Sequence, residues 1–243
     1  MSTSESMNKT ALVMGATGAT GKALLRDLLI SSSYAKIVAV GRRQAKVQDG
    51  VPQDKLEQKV VDFENLEAHR DVFRGVNDVY CCLGTTRADA GSAEAFKRID
   101  QSYVVNSAKI IAQENPATTG LSPVHFLYVS ATNANKNSPF LYPKTKGETE
   151  EQLASAGFQR VSIMRPGALE VEEPRERPRL LEKIFVDYLM VPANRMFNLH
   201  MAVSVSRVAK AMQKVAENAE PVTDPTKTKV DIYSNKDIED LTA

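Results

Sequence analysis

Apolar residues follow two alternating patterns along the chain. Short, largely apolar runs are typical of strands buried on both faces, and they occur at 11–14, 36–40, 78–83, 124–129 and 160–164. A strand that is more exposed is predicted at 58–62, and a late strand at 229–233. Segments with helical spacing are found at 22–29, 92–114, 142–156 and 201–217. This alternation predicts an α/β fold with a doubly wound, mainly parallel sheet.

The alternation is interrupted in residues 168–200. We expect residues 10–243 to form a single domain in which 168–200 are a small cap that borders the substrate site. Residues 1–9 contain no apolar run and no arginine, which predicts a disordered tail and no signal peptide. Because no apolar run is long enough to cross a bilayer, we expect no transmembrane helix.

A glycine-rich segment, GATGATG at residues 15–21, joins the first predicted strand to the first helix. In such a segment the first glycine permits a tight turn, the second lets a phosphate approach the backbone, and the third lets helix and strand pack closely. The free N–H groups of the helix face the phosphate charge. The segment therefore predicts a dinucleotide-binding Rossmann domain. Its predicted cofactor contacts are Gly15, Thr17, Gly18, Ala19, Thr20 and Gly21.

Two alternatives to a dinucleotide site fit this segment less well. A nucleoside-triphosphate loop would require glycine at Ala16 and serine or threonine at Ala23 around the Gly21–Lys22 pair. An ordinary structural turn does not require three glycines at this spacing.

The end of the second predicted strand bears on the choice of nucleotide. An acidic residue there favours NAD, whereas arginine suits the 2′-phosphate of NADP. The sequence has Arg42 and Arg43 at this point, so NADP(H) is preferred over NAD(H). The alternative is that both arginines are simply solvated. Asp62 and Phe63, after the third strand, are predicted to border the adenine.

Tyr142 and Lys146 are four residues apart on a predicted helix, so their side chains lie on one face. A tyrosine is a poor base at neutral pH, but a nearby ammonium favours its phenolate. Tyr142 is therefore a candidate general acid/base, and Lys146 its electrostatic partner and a cofactor contact. The pair alone is weak evidence, but it follows a glycine-rich nucleotide motif and a strand that ends in serine.

These motifs together resemble the short-chain dehydrogenase/reductase family, in its atypical or extended branch. The matching residues are 15–21, Tyr142 with Lys146, and the Arg-Pro-Gly stretch 165–167. The resemblance implies that Leu83, Gly84, Thr85 and Thr86 line the cofactor and that Pro166 and Gly167 lie near the nicotinamide.

A narrower resemblance rests on residues 85–92 and 234–238. These segments are similar to fungal proteins associated with the mitochondrial outer membrane and related to a human Tat-interacting oxidoreductase-like protein. That resemblance implies a location on the cytoplasmic side, with peripheral attachment to this membrane as one option.

The sequence departs from the family pattern at two places. Family members carry Val-Ser-Ser at the end of the fifth strand, where the second serine polarises the substrate carbonyl, but Ala131 stands here. Ser130 or Thr132 must then supply the hydroxyl. Asp100 occupies a helix position where many relatives have asparagine. Two hypotheses follow: an NADP(H)-dependent oxidoreductase acting on a small carbonyl or alcohol, or an NADPH-binding regulatory protein with weak or no turnover.

Composition narrows the range of partners. With 31 basic and 30 acidic side chains the net charge is +1, which does not predict nucleic-acid binding. Cys81 and Cys82 are adjacent and are predicted to be buried free thiols. The three histidines lack metal-ligand spacing, so no metal site is expected. The apolar run 184–191 is expected to pack against the sheet, and the alternatives are contact with substrate, a partner subunit or a membrane surface. Both a monomer and a homodimer remain open.

Overall fold

The computed structural model describes residues 9–171 and 202–243. Its strands are β1 (Thr10–Met14), β2 (Lys36–Gly41), β3 (Leu56–Val60), β4 (Asp78–Cys81), β5 (Ser122–Val129), β6 (Phe158–Met164), β7 (Ala168–Glu170), β8 (Ala202–Ser204) and β9 (Lys229–Tyr233). The main sheet has the order β3-β2-β1-β4-β5-β6-β9. All of its neighbouring strands are parallel. The predicted doubly wound sheet is confirmed.

Helices connect the strands and cover both faces of the sheet. They are α1 (Ala19–Ile30), α2 (Arg87–Ala90), α3 (Ala93–Lys97), α4 (Tyr103–Glu114), α5 (Leu141–Ala154), α6 (Val205–Glu217) and α7 (Asn235–Thr242), with a 3-10 segment at Leu66–Phe73 and a π-helical turn at Arg98–Ser102. One apolar cluster contains residues of α4 and α5, and a second contains residues of α1 and α6.

The central strands are apolar throughout because both of their faces are covered. In β1, Leu12 and Met14 belong to one apolar cluster, whereas Ala11 and Val13 belong to the other. All four side chains are fully buried. Successive side chains on a strand point to opposite faces, so a strand between two helical layers needs apolar residues at every position.

Several predicted boundaries differ from the observed ones. The helix predicted at 92–114 is divided by the π-helical turn, and the third strand is earlier than predicted. The helix predicted from 201 begins at Val205 because the three residues before it form β8. Helix α7 was not predicted. Cys81, the last residue of β4, is buried as expected, whereas Cys82, which follows the strand, is only half-buried.

The ends of the predicted cap segment lie side by side. Strands β7 and β8 pair in parallel, with Ala168 opposite Ala202. The remainder of the predicted cap, including the apolar run 184–191, and residues 1–8 of the predicted tail lie outside the described residues. Within the described part of the chain, no helix combines the length and apolarity needed to cross a membrane.

Candidate nucleotide and substrate site

The predicted site segments meet at one edge of the sheet. The glycine-rich segment follows β1, the arginine pair follows β2, and Leu83–Thr86 follow β4. Ser130 and Thr132 follow β5, and Pro166 and Gly167 follow β6. Because these strands are parallel, their carboxyl ends lie at the same edge, where doubly wound sheets bind ligands.

Two of the three motif glycines are required by the fold. Gly15 has a φ of +83°, and a Cβ there would lie 2.6 Å from the carbonyl carbon and oxygen of Cys82. A Cβ on Gly21 would lie 2.2 Å from the carbonyl oxygen of Gly15. Both distances are too short for any side chain, so these residues allow β1, β4 and α1 to approach one another.

Gly18 is not required by the fold in this way. Its φ is −80°, a value that any residue adopts, and a Cβ there would meet its nearest atom, the Gly15 oxygen, at an ordinary 3.4 Å. The residue is also exposed. A glycine that the fold does not require is expected where a ligand comes close to the backbone. In dinucleotide-binding motifs, the second glycine lets the pyrophosphate approach in this way.

The amino end of α1 is suited to bind an anion. Gly18 is the N-cap residue and supplies no side-chain hydrogen bond, and the first turn contains no acidic residue. The first N–H groups of a helix lack partners within the helix and carry partial positive charge. Together with the opening at Gly18, this end fits a dinucleotide pyrophosphate.

Arg42 and Arg43 are exposed immediately after β2. Among residues 9–171 and 202–243, neither side chain has a hydrogen-bonding or acidic partner. Phe63 is buried, and its ring stacks on Tyr103 with centroids 5.1 Å apart. Of the two residues predicted to border the adenine, only Asp62 is exposed.

Lys146 reaches the site from α5 and is buried there. Its Nζ lies 3.0 Å from Oδ1 of Asp100, and it donates a hydrogen bond to the hydroxyl of Tyr128 at 3.0 Å. The pair lies beneath Gly84, since a Cβ on Gly84 would be 3.7 Å from Nζ. This contact places Lys146 directly under the loop that is predicted to line the cofactor.

The protonation of this cluster follows from burial and charge. Burial alone would lower the pKa of Lys146, but Tyr128, Asp100 and Tyr142 outweigh it and raise that pKa well above its ordinary value. Burial also raises the pKa of Tyr128, against the opposing effect of Lys146. The countercharge to the ammonium comes from the adjacent Asp100 carboxylate, whose own pKa burial raises against the opposing effect of Lys146.

Tyr142 is one helical turn before Lys146, at the start of α5. It is 40% exposed, and its ring packs against Phe96 with centroids 5.8 Å apart. The arrangement leaves part of Tyr142 open to a ligand while its neighbour Lys146 is buried. The predicted one-face placement on a helix agrees with the extent of α5.

The two candidate hydroxyls after β5 have different surroundings. Ser130 is buried and donates a hydrogen bond to Glu150 at 2.5 Å. Glu150 also forms two hydrogen bonds with Arg165, of 3.0 and 2.5 Å. The single hydroxyl hydrogen of Ser130 is therefore directed to Glu150 and not to a carbonyl. Thr132 is exposed.

The turn after β6 is held from two sides. The amide of Thr132 donates to the carbonyl of Pro166 at 2.9 Å, and the amide of Gly167 donates to Oδ1 of Asn235 at 2.6 Å. The loop that contains Thr132 in turn rests on α5. A Cβ on Gly147 would lie 2.2 Å from the amide nitrogen of Lys136 in that loop.

Sequence reasoning missed four residues that organise this edge. They are Tyr128, Glu150, Arg165 as a partner of Glu150, and Asn235. The one available signal was in α5, where Glu150 is four residues after Lys146 and therefore on the same helical face. The sequence indicated Asp100 only as a departure from the family pattern, and its contact with Lys146 was not predicted.

Comparison with known proteins identifies the family of this chain. Residues 15–219 match a family model described as NAD(P)H-binding. The chain belongs to this NAD(P)H-binding family. Protein HTATIP2 of Rattus norvegicus is 38% identical over 171 residues, which cover 70% of the chain and 67% of that protein. The mitochondrial protein FMP52-2 of Scheffersomyces stipitis is 31% identical over 95% of the chain and 96% of that protein.

Solved structures show the same fold for this NAD(P)H-binding protein. A short-chain type dehydrogenase/reductase from Mycobacterium ulcerans superposes with a TM-score of 0.65 at 17% identity, covering 95% of the chain and 90% of that structure. A UDP-glucuronic acid 4-epimerase from Bacillus cereus in complex with NAD gives 0.64 at 12% identity, with 93% and 76% covered. The fold is that of the short-chain dehydrogenases, a Rossmann arrangement.

Proposed function

We propose that this chain is an NADP(H)-dependent oxidoreductase of the short-chain dehydrogenase/reductase type that acts on a small carbonyl or alcohol. The observation that carries the proposal is the placement of Tyr142 and Lys146 on α5. Lys146 is buried beneath Gly84 of the predicted cofactor loop, and Tyr142 is partly exposed one turn away. The nucleotide, when bound, would accept or supply the hydride.

The chain's own residues supply binding and proton transfer. The amino end of α1 and the exposed backbone at Gly18 would hold the pyrophosphate. Arg42 and Arg43 would pair with a 2′-phosphate, because a guanidinium binds phosphate through two N–H groups. Tyr142 would give a proton to the carbonyl oxygen or take one from the alcohol, and the Lys146 ammonium stabilises its anion.

Thr132 is our proposed donor to the substrate carbonyl. The contacts around the end of β5 support this assignment, because Ser130 is buried and donates to Glu150, whereas Thr132 is exposed. The amide of Thr132 is fixed to the carbonyl of Pro166, and Pro166 is predicted to lie near the nicotinamide. A hydroxyl on this tethered backbone is available to a ligand at the same edge.

The second candidate function is an NADPH-binding regulatory protein with weak or no turnover. One observation favours it: Ala131 replaces the usual serine, and the neighbouring Ser130 is committed to Glu150. Loss of one positioned donor can cost about a hundredfold in rate. This candidate predicts nucleotide binding without reaction on any substrate.

The decisive experiment mixes the protein with NADPH and a panel of aldehydes and ketones. We expect Tyr142→Phe to lower kcat by about a hundredfold or more, since the acid–base group is lost. Lys144→Gln is the matched control, because it alters an exposed residue of the same helix. Equal NADPH oxidation by Tyr142→Phe and wild type would refute the assigned chemistry. Tight NADPH binding with no turnover on any substrate would favour the regulatory candidate.

Nucleotide preference has its own test. We expect Arg42→Ala and Arg43→Ala to weaken NADPH binding by about tenfold or more while changing NADH binding little, because each would remove a charge-assisted contact to the 2′-phosphate. Equal losses for the two nucleotides would show that the arginines do not read that phosphate.

We also propose peripheral attachment to the cytoplasmic side of the mitochondrial outer membrane. The FMP52 relatives are named mitochondrial, and the described helices include none suited to span a bilayer. Cell fractionation with a protease applied to intact mitochondria tests this. Protection of the chain from the protease would contradict the proposal.

A further inference from the structure

The carboxylate of Asp100 is fully buried at the point where the main chain departs from regular helix. Asp100 is the central residue of the π-helical turn between α3 and α4, and its relative exposure is 0%. Such turns are often found at functional sites. A carboxylate without exposure to water needs both a countercharge and hydrogen-bond donors.

Each oxygen of Asp100 contacts a different part of the site. Oδ1 lies 3.0 Å from Nζ of Lys146, whose side chain is 4% exposed. Oδ2 accepts a hydrogen bond of 2.7 Å from the amide of Thr85. A Cβ on Gly84 would lie 3.5 Å from Oδ1. One carboxylate therefore contacts both α5 and the Gly84–Thr86 loop.

Asp100 is the carboxylate among the described groups that face Lys146. The groups that face Lys146 are Tyr128 on β5, Tyr142 on α5, Asp100 itself and, close to the pair, Cys81 on β4. Burial raises the pKa of Cys81 to about 12, and it also raises the pKa of Tyr128. Both are neutral at neutral pH, whereas the Asp100 carboxylate lies 3.0 Å from the ammonium, which opposes the rise in the pKa of Asp100 that burial causes.

We propose that Asp100 is a positioning residue that pairs with the Lys146 ammonium and with the Thr85 amide, and so couples the predicted cofactor loop to the Tyr142–Lys146 pair. Its consequence for catalysis rests on the proposed function, but its two contacts do not. Removal of the charge should release Lys146 alone, whereas removal of the whole carboxylate should release both Lys146 and Thr85.

The test uses two variants and two measurements that need neither nucleotide nor turnover. Asp100→Asn keeps an oxygen that can accept from Thr85 but loses the charge, and Asp100→Ala loses both. Glu151→Gln is the control, because it removes an exposed carboxylate from the same helix as Lys146. The titration of Lys146 is followed by NMR of isotope-labelled lysine, with Lys146→Met to assign the signal. Hydrogen exchange of the Thr85 amide is measured in parallel.

We expect Lys146 in Asp100→Asn to titrate at least about one pH unit lower than in wild type, since a buried ammonium has lost its countercharge. Thr85 should stay protected in Asp100→Asn and lose about tenfold or more of its protection in Asp100→Ala. The control should change neither. An unchanged Lys146 titration in Asp100→Asn, or an equally protected Thr85 in Asp100→Ala, would overturn the proposal.

The wild-type protein provides a test that does not depend on folded variants. The pairing requires that Lys146 stay protonated up to or above its ordinary value of 10.5, and a lower value would overturn the proposal. If the protein turns over substrate, the alkaline limb of the pH–rate profile should move down in Asp100→Asn together with the Lys146 titration. A shifted titration with an unmoved limb would refute the catalytic role of Lys146, not the pairing.

Discussion

Single residues separate the requirements of the fold from those of a ligand. Gly15 and Gly21 are needed because a Cβ would collide with backbone atoms, whereas a Cβ at Gly18 would meet only an ordinary contact of 3.4 Å. The same contrast distinguishes Ser130, whose hydroxyl satisfies a buried carboxylate, from the exposed Thr132. Both contrasts can be tested by substitution.

We expect Gly18→Ala to affect nucleotide binding and Gly21→Ala to affect stability. Gly18→Ala should leave the unfolding free energy nearly unchanged and weaken NADPH binding by about tenfold or more, because the methyl group fills the space of the phosphate. Gly21→Ala should cost about 1–3 kcal/mol or more in stability, because its Cβ overlaps the Gly15 oxygen. Chemical denaturation and calorimetry measure the two quantities. A destabilised Gly18→Ala that still binds NADPH would contradict this account.

Substitutions of the two hydroxyl residues after β5 should likewise affect different properties, one the rate and the other the stability. Thr132→Val should lower kcat by about a hundredfold, because a donor to the carbonyl is removed. Ser130→Ala should chiefly lower stability, by about 1–3 kcal/mol, because Glu150 loses a buried hydrogen bond. Kinetics and thermal melts of both variants provide the comparison. The reverse pattern would return the donor role to Ser130.

At the scale of elements, the strands were predictable from the sequence and the contacts between elements were not. Strands such as β1 and β9 were predicted because each has its own local pattern of residues. Strand β8 has three residues, too few to show a period. The π-helical turn around Asp100 has no sequence signal of its own. Asp100 contacts Lys146 only because this turn and α5 pack side by side. The site was therefore predicted as segments, and its internal pairing was not.

A polar group inside the sheet gives an element-scale prediction about pH. His125 on β5 is buried, shares a hydrogen bond of 2.8 Å with Ser162 on β6, and lies 3.8 Å from Asp78 on β4. Burial, aided by Arg160, Lys9 and Lys229, lowers the pKa of His125 to about 3. The unfolded chain therefore binds a proton more readily than the folded chain between this value and the ordinary 6.5.

The stability that His125 contributes is thus complete above pH 6.5 and is lost as the pH falls towards 3. Between pH 6.5 and pH 5 the loss is expected to be about 2 kcal/mol. Asp78 acts in the opposite sense, since burial raises its pKa, so the comparison is made with His125→Gln. Urea denaturation at a series of pH values should show a smaller decline in the variant. Parallel declines in the two proteins would contradict the assignment.

At the scale of the whole molecule, two apolar layers hold seven parallel strands so that their carboxyl ends form one edge. The fold class followed from this topology, and the match to an NAD(P)H-binding family model agrees with it. Substrate choice depends on side chains that no topology specifies. A ligand at this edge would contact several strand ends at once and should stabilise the whole domain.

This coupling predicts a rise in melting temperature with nucleotide. At a free concentration a hundred times its Kd, NADPH should add about 2.7 kcal/mol to the free energy of unfolding, because it binds only the folded state. Differential scanning fluorimetry over a concentration series measures the shift, and adenosine alone serves as a control without the diphosphate. A shift as large with adenosine as with NADPH would place the binding energy away from the glycine-rich turn.

The central claim is that the glycine-rich turn and the amino end of α1 bind a dinucleotide diphosphate. Isothermal titration calorimetry of the folded protein with NADPH tests it most directly. The account predicts saturable heat with one nucleotide bound per chain, and weaker binding of NADH. Absence of heat with both nucleotides would contradict it.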